Sequence, residues 1–186
     1  MNETPPSIYK NALNISHLLA RSRVKPGDRV IDATCGRGHD TVFLAELVGE
    51  EGRVWAFDIQ AEAVVSTRAL IEQKGLTARV EVIHEDHRFM DRHVDEPVSL
   101  IMFNLGYLPR GDHRISTSAR TSVDALAKAI GLLGKEGGIT LVCYTGHPGG
   151  LDELQALKEY LAGISQNYLE VIEVNFLNQI NHPAVL

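Results

Sequence analysis

An acid closes an apolar run at Val30-Ile31-Asp32, and a turn follows with two glycines one residue apart, Thr34-Cys35-Gly36-Arg37-Gly38. Helical spacing comes next, at Val42, Leu44, Ala45, Leu47 and Val48. Strand, glycine turn and helix form the layout of a nucleotide-binding site. Glycines let backbone approach a ligand closely, and a helix start offers unpaired N–H groups. A second acid, Asp58 in Phe57-Asp58-Ile59-Gln60, ends another apolar run. It lies about 20 residues beyond Gly38, where such folds place the carboxylate that binds ribose hydroxyls. Asn104 ends a third apolar run, in Asn104-Leu105-Gly106-Tyr107-Leu108-Pro109. A polar side chain there is costly unless it has partners.

Two familiar phosphate cradles do not fit. The dinucleotide fingerprint wants a third glycine where Thr41 stands, and a P-loop needs a Lys-Ser/Thr pair after its last glycine. Other candidates have two readings each. Gln60 reaches the ligand or merely starts a helix. Asp86-His87 follows a strand as a ligand contact or as a solvated loop. His147, in Tyr144-Thr145-Gly146-His147-Pro148-Gly149-Gly150, is a base, a substrate contact or a helix-start residue. His39 caps a helix or faces the turn. Arg110, His113, Arg114 and Arg120 form the densest basic stretch, either a solvated surface or a contact for an anionic nucleic acid. Neither the histidines nor Cys35 and Cys143 have metal-ligand spacing, so no metal is expected.

The elements that would position these residues alternate. A helix is expected over 7–21, then strands at 29–31, 53–58, 79–84, 98–104, 139–144 and 168–177. Helices fall between them, from the glycine turn to about Val48, then at 61–74, from Ser118–Thr121 to about Leu133, and at 151–161. This alternation predicts an α/β fold, with a mostly parallel sheet covered by helices on both faces. Its ligands bind at the carboxyl ends of the strands, where Asp32, Asp58, Asp86, Asn104 and Tyr144 should gather.

With 186 residues, a single domain over 1–186 is the default. The net charge of −6 argues against a general nucleic-acid coat but allows a local basic patch. No apolar run spans a bilayer, and the start lacks the cationic and apolar segments of a signal peptide. A reduced cytoplasmic compartment without membrane association suits two unpaired cysteines, and a homodimer is allowed for.

The acid and glycine turn resemble the first motif of class I S-adenosylmethionine (SAM) methyltransferases, with Thr34 at that motif's usual first glycine. Asn104-Leu105-Gly106-Tyr107 resembles the Asn-Pro-Pro-Tyr motif of amino-group methyltransferases, with Leu105-Gly106 in place of the prolines. Together with Tyr144-Thr145-Gly146-His147 and Asn178-Gln179, these stretches resemble the rRNA methylase family of class I SAM-dependent methyltransferases. That family includes the bacterial tRNA 5-(aminomethyl)-2-thiouridine methyltransferase. The resemblance implies a Rossmann-like fold with a shortened last strand, and N-methylation of 5-aminomethyl-(2-thio)uridine at the tRNA wobble position. It implies cofactor contacts at Asp32, Thr34, Gly36, Asp58, Gln60, Asp86 and His87. Asn104 would hold the amine and Tyr107 would stack on the base. Arg110, Arg114 and His147 would contact RNA or line the pocket. The alternatives are methylation of rRNA or of a small molecule, and SAM binding without catalysis.

Overall fold

The computed structural model describes residues 11–106, 117–178 and 183–186. Helix α1 (Ala12–Arg23) leads into β1 (Arg29–Asp32), α2 (His39–Val48), β2 (Arg53–Asp58), α3 (Ala61–Gln73) and β3 (Val80–His84). A 3₁₀ helix over His87–Arg92 precedes β4 (Val98–Leu105), α4 (Ala119–Leu132), β5 (Leu133–Cys143), α5 (Gly150–Ala162) and β6 (Ala184–Val185). Residues 7–10 of the expected N-terminal helix lie outside the described residues, and Asn11 caps α1 by accepting the Asn14 N–H at 2.9 Å.

The sheet order is β3-β2-β1-β4-β5-β6, with β1 to β5 parallel and β6 antiparallel to β5. Alternating residues supply two cores, because side chains along a strand point to opposite faces. Ile31, Trp55, Ile101 and Phe103 pack with Leu126 and Leu157 on one face. Val30, Val54, Leu100 and Met102 pack with Leu44, Val48 and Ile71 on the other. Both faces are buried, which is why these strands read as continuous apolar runs. Helix α1 seats Ala12 and Ile15 on Val142 and Val185, and its Ser16 Oγ donates to Thr140 Oγ1 at 2.9 Å.

Two expectations change. The segment 168–177 is not a strand. Its one ladder contact is a bridge from Val174 to Val185, while Tyr168, Val171 and Ile172 are exposed and Leu177 is fully so. The segment lies outside β6, where Leu169 packs partly against one core and Val174 and Phe176 against another. The antiparallel last strand is instead the two-residue β6. The glycine stretch 134–138 is not a turn before β5 but an irregularity within it. Val98 faces Leu133 and Leu100 faces Gly138, so the residues between loop out of register. A side chain at Gly137 would lie 2.9 Å from the Val98 carbonyl oxygen. Among the described residues, no helix is long and apolar enough to cross a membrane.

Candidate active site

Strand order reverses between β1 and β4, and the chain ends of these strands diverge there. Thr34 ties them together, its Oγ1 accepting the Asn104 backbone N–H at 2.7 Å. The turn between β1 and α2 needs its glycines, since Gly36 and Gly38 have φ of 52° and 85°. A Cβ on Gly38 would also meet Thr67 at 3.1 Å, and Thr67 Oγ1 donates to the Gly36 carbonyl at 3.0 Å.

Asp32 lies beneath this turn, 1% exposed. Its carboxylate accepts the Thr41 hydroxyl at 2.6 Å and the Thr34 N–H at 3.2 Å. It is not among the residues that line the cleft described below, although the sequence places it as a cofactor contact. Thr41, nine residues on in the first turn of α2, draws it inward. Burial, reinforced by the nearby Asp40 charge, pushes the Asp32 carboxyl up to about 7. The unfolded chain releases this proton near 3.8, so the native state binds more protons between those values. Stability from this group therefore falls as pH rises through that window. Asp32→Asn stays neutral and removes the slope. Its melting temperature relative to the wild type is expected to rise by several degrees from about pH 5 to about pH 8, with at most about 4 kcal/mol at stake. A difference that stays constant over that range would overturn the assignment.

Asp58, at the end of β2, accepts the Gly36 N–H and the Gln60 N–H, each at 2.9 Å and one on each oxygen. A carboxylate has about four acceptor positions, so two remain for ligand hydroxyls. Burial raises its pKa. Ile59 beside it is 56% exposed and lines the cleft, an apolar surface for a flat ring. Gln60 is the N-cap of α3 without a side-chain cap bond, which leaves its amide for the cleft.

Asp86 and His87 follow β3. Burial alone would raise the Asp86 carboxyl, but hydrogen bonds from Arg88 outweigh it and hold the pKa below the ordinary value. The Arg88 N–H, Nε and Nη2 donate at 2.9, 3.1 and 2.8 Å. His87 Nδ1 sits 3.1 Å from the Ala33 carbonyl, so that nitrogen carries the proton and donates. Burial lowers the pKa of the ring, which packs edge-on against Phe103.

At the end of β4, Asn104 Nδ2 donates to Asp40 Oδ2. Its Oδ1 is buried and has no hydrogen-bond partner among the described residues. The Tyr144 N–H continues the ladder by donating to the Leu105 carbonyl at 3.0 Å. Burial raises the Tyr144 pKa, and the Asp40 charge adds to it. A Cβ on Gly106 would come within 3.3 Å of Tyr144, so glycine there lets this ring sit against the strand end. His147 Nδ1 lies 3.1 Å from the Pro148 carbonyl, and the ring lines the cleft.

These residues surround a cleft of about 770 Å³ at the carboxyl edge of the sheet, within the usual range of ligand sites. Thr34, Gly36, Asp58, Gln60, Asp86, His87, Asn104 and His147 all line it. Tyr107, Arg110 and Arg114 lie outside the described residues. The chain on either side of them is pinned together, because the Thr117 N–H donates to the Gly106 carbonyl at 3.0 Å. Sequence reasoning missed Asp40 and His17, whose Nε2 is 2.6 Å from Asp40 Oδ1.

A parallel sheet with this order, a glycine turn after β1 and a ribose-ready acid after β2 defines the class I SAM-dependent methyltransferases. A family model described as "Putative rRNA methylase" matches residues 54–186. One for protein-L-isoaspartate(D-aspartate) O-methyltransferase matches residues 2–90, the part that holds the glycine turn and Asp58. The chloroplastic tRNA (mnm(5)s(2)U34)-methyltransferase of Arabidopsis thaliana is 38% identical, over 95% of this chain and 68% of its own. The crystal structure of a putative rRNA-methylase from Clostridium thermocellum has a TM-score of 0.92 at 47% identity, over 95% of both chains. A putative methyltransferase from Streptococcus mutans, solved in complex with SAH, has a TM-score of 0.85 at 32% identity, again over 95% of both. The chain belongs to the rRNA methylase family. It is a SAM-dependent methyltransferase.

The cleft fits that cofactor on its own chemistry. Spare acceptor positions on Asp58 suit ribose hydroxyls, and exposed Ile59 suits adenine. The unpartnered Asn104 oxygen is left over for a second reactant.

Proposed function

We propose that this enzyme methylates the amino group of 5-aminomethyl-(2-thio)uridine at the tRNA wobble position, giving 5-methylaminomethyl-(2-thio)uridine. One observation carries the reading: Asn104 lines the cleft and holds a buried carbonyl oxygen that has no hydrogen-bond partner among the described residues. Such an oxygen asks for a donor, and an amine N–H is one. The sequence likeness to the Arabidopsis thaliana tRNA methyltransferase supports tRNA as the partner.

In this reading residues 1–186 act as one catalytic domain. Asp58 holds the ribose hydroxyls, with Thr34, Gly36 and Gln60 around the cofactor's central part. Asp86 and His87 border the adenine end. Asp32 supports the glycine turn from below rather than touching the cofactor. Asn104 Oδ1 accepts an N–H of the neutral amine, which leaves the nitrogen lone pair free to point along the cleft. Tyr107 stacks on the uracil, and Arg110, Arg114 and His147 contact RNA or line the pocket. Bound SAM supplies an already activated methyl group. Most of the protein's contribution is therefore orientation and the exclusion of water around the amine. Buried, unpaired Cys35 and Cys143 suit the cytoplasm, where tRNA is met away from membranes.

The test is incubation with SAM and tRNA lacking the final methyl, followed by mass analysis of the nucleosides. One methyl group is expected on the 5-aminomethyl-(2-thio)uridine. Methylation of rRNA instead, or of no RNA, would overturn the reading.

A further inference from the structure

Asn104 is the end of a chain of polar contacts that starts on α1. His17 Nε2 lies 2.6 Å from Asp40 Oδ1, and Asp40 Oδ2 accepts the Asn104 amide N–H. The His17 ring is itself fixed, stacked on Phe43 with centroids 3.9 Å apart and planes 9° from parallel. The Asn104 backbone is fixed from the other side by Thr34 Oγ1. Three elements, α1, α2 and β4, thus converge on one amide group.

That amide has two orientations of nearly the same shape, which exchange its oxygen and its NH2. They offer a ligand opposite chemistry. The oxygen receives donors, whereas the NH2 receives acceptors. A carboxylate can only accept, so Asp40 takes the NH2 and leaves the oxygen, buried and without a partner among the described residues, for another donor. A turned amide would set its oxygen against Asp40 and direct N–H groups at the lone pair of any amine in the cleft.

We propose that Asp40, held by His17, is a positioning residue that locks the Asn104 oxygen toward the cleft. In this way it makes the methyl-acceptor pocket selective for a hydrogen-bond-donating amine over a carbonyl or ring-nitrogen acceptor. This rests on Asn104 receiving the amine. It also gives α1 a part in the site: its histidine fills the second oxygen of Asp40 and stops the carboxylate from turning away.

The experiment measures single-turnover methylation of tRNA carrying 5-aminomethyl-2-thiouridine by Asp40→Asn, Asn104→Ala and the double variant. SAM binding and melting temperature are followed for each. Asp40→Asn has the same shape but can donate as well as accept, so both Asn104 orientations become available. It is expected to bind SAM as the wild type does and to react about tenfold more slowly. In the Asn104→Ala background the same change is expected to have no further effect, since a residue that acts through Asn104 cannot act without it. Should Asp40→Asn fail to fold, His17→Ala gives the same comparison. His17→Gln, which can still donate to Asp40, should recover most of the rate lost in His17→Ala. A wild-type rate in Asp40→Asn, or losses that multiply in the double variant, would overturn the inference and leave the amine contact standing. A wild-type rate in Asn104→Ala alone would overturn both.

Discussion

Asn104→Ala is expected to keep the fold and most of the SAM affinity while slowing methyl transfer by roughly 10²-fold or more. The separation follows from where its contacts lie. The bond that joins β4 to β1 is made by the Asn104 backbone N–H to Thr34, and alanine keeps that N–H. The cofactor half of the cleft is lined by Gly36, Asp58 and Gln60, whose hydrogen bonds to one another do not involve the Asn104 side chain. What alanine removes is a buried side-chain oxygen that lacks a partner among the described residues. With an activated methyl donor, rate depends on holding the amine at the right distance and angle, and small misplacements cost orders of magnitude. Single-turnover kinetics at saturating SAM would show the loss in the chemical step. A rate near that of the wild type would remove Asn104 from the acceptor contact.

Much of this arrangement was legible in the sequence, and for a physical reason. Strands β1, β2 and β4 are buried on both faces, so each reads as an apolar run, and the first polar residue after it marks the carboxyl end. Asp32, Asp58 and Asn104 were found that way. The direction of a side chain at such an end is not encoded in the run. Asp32 ends its strand as Asp58 does, but Thr41 pulls it under the turn while Asp58 faces the cleft. The pairing of Asp40 with Asn104 and His17 was illegible because it crosses 64 and 23 positions of chain. Only the sheet order brings α2 and β4 together. The error over 168–177 has a similar origin. Its apolar residues suit a strand, but a strand needs a neighbour, and the place beside β5 is taken by β6.

Asp58→Ala is expected to weaken SAM binding by about 10²- to 10⁴-fold, the second large effect. Two ribose hydroxyls would each lose a hydrogen bond to a charged acceptor, worth about 1.5–3 kcal/mol apiece. The fold should be less affected, although the Gly36 and Gln60 N–H groups lose their partner and the glycine turn loosens. Asp58→Asn separates these effects, since its amide oxygen can still accept one of the two N–H groups, and it should melt closer to the wild type than Asp58→Ala does. The wild type adds a dependence on pH. Burial raises the Asp58 pKa, and a protonated carboxyl accepts hydroxyl donors poorly. SAM affinity should therefore fall as pH drops, beginning at a higher pH than an ordinary carboxylate would give, and the contribution of Asp58 to that fall should vanish in Asp58→Asn. Calorimetric titration of the three proteins with SAM over a range of pH decides it. Equal affinity in Asp58→Ala and the wild type at neutral pH would take Asp58 out of the cofactor contact and leave it only as the latch of the glycine turn.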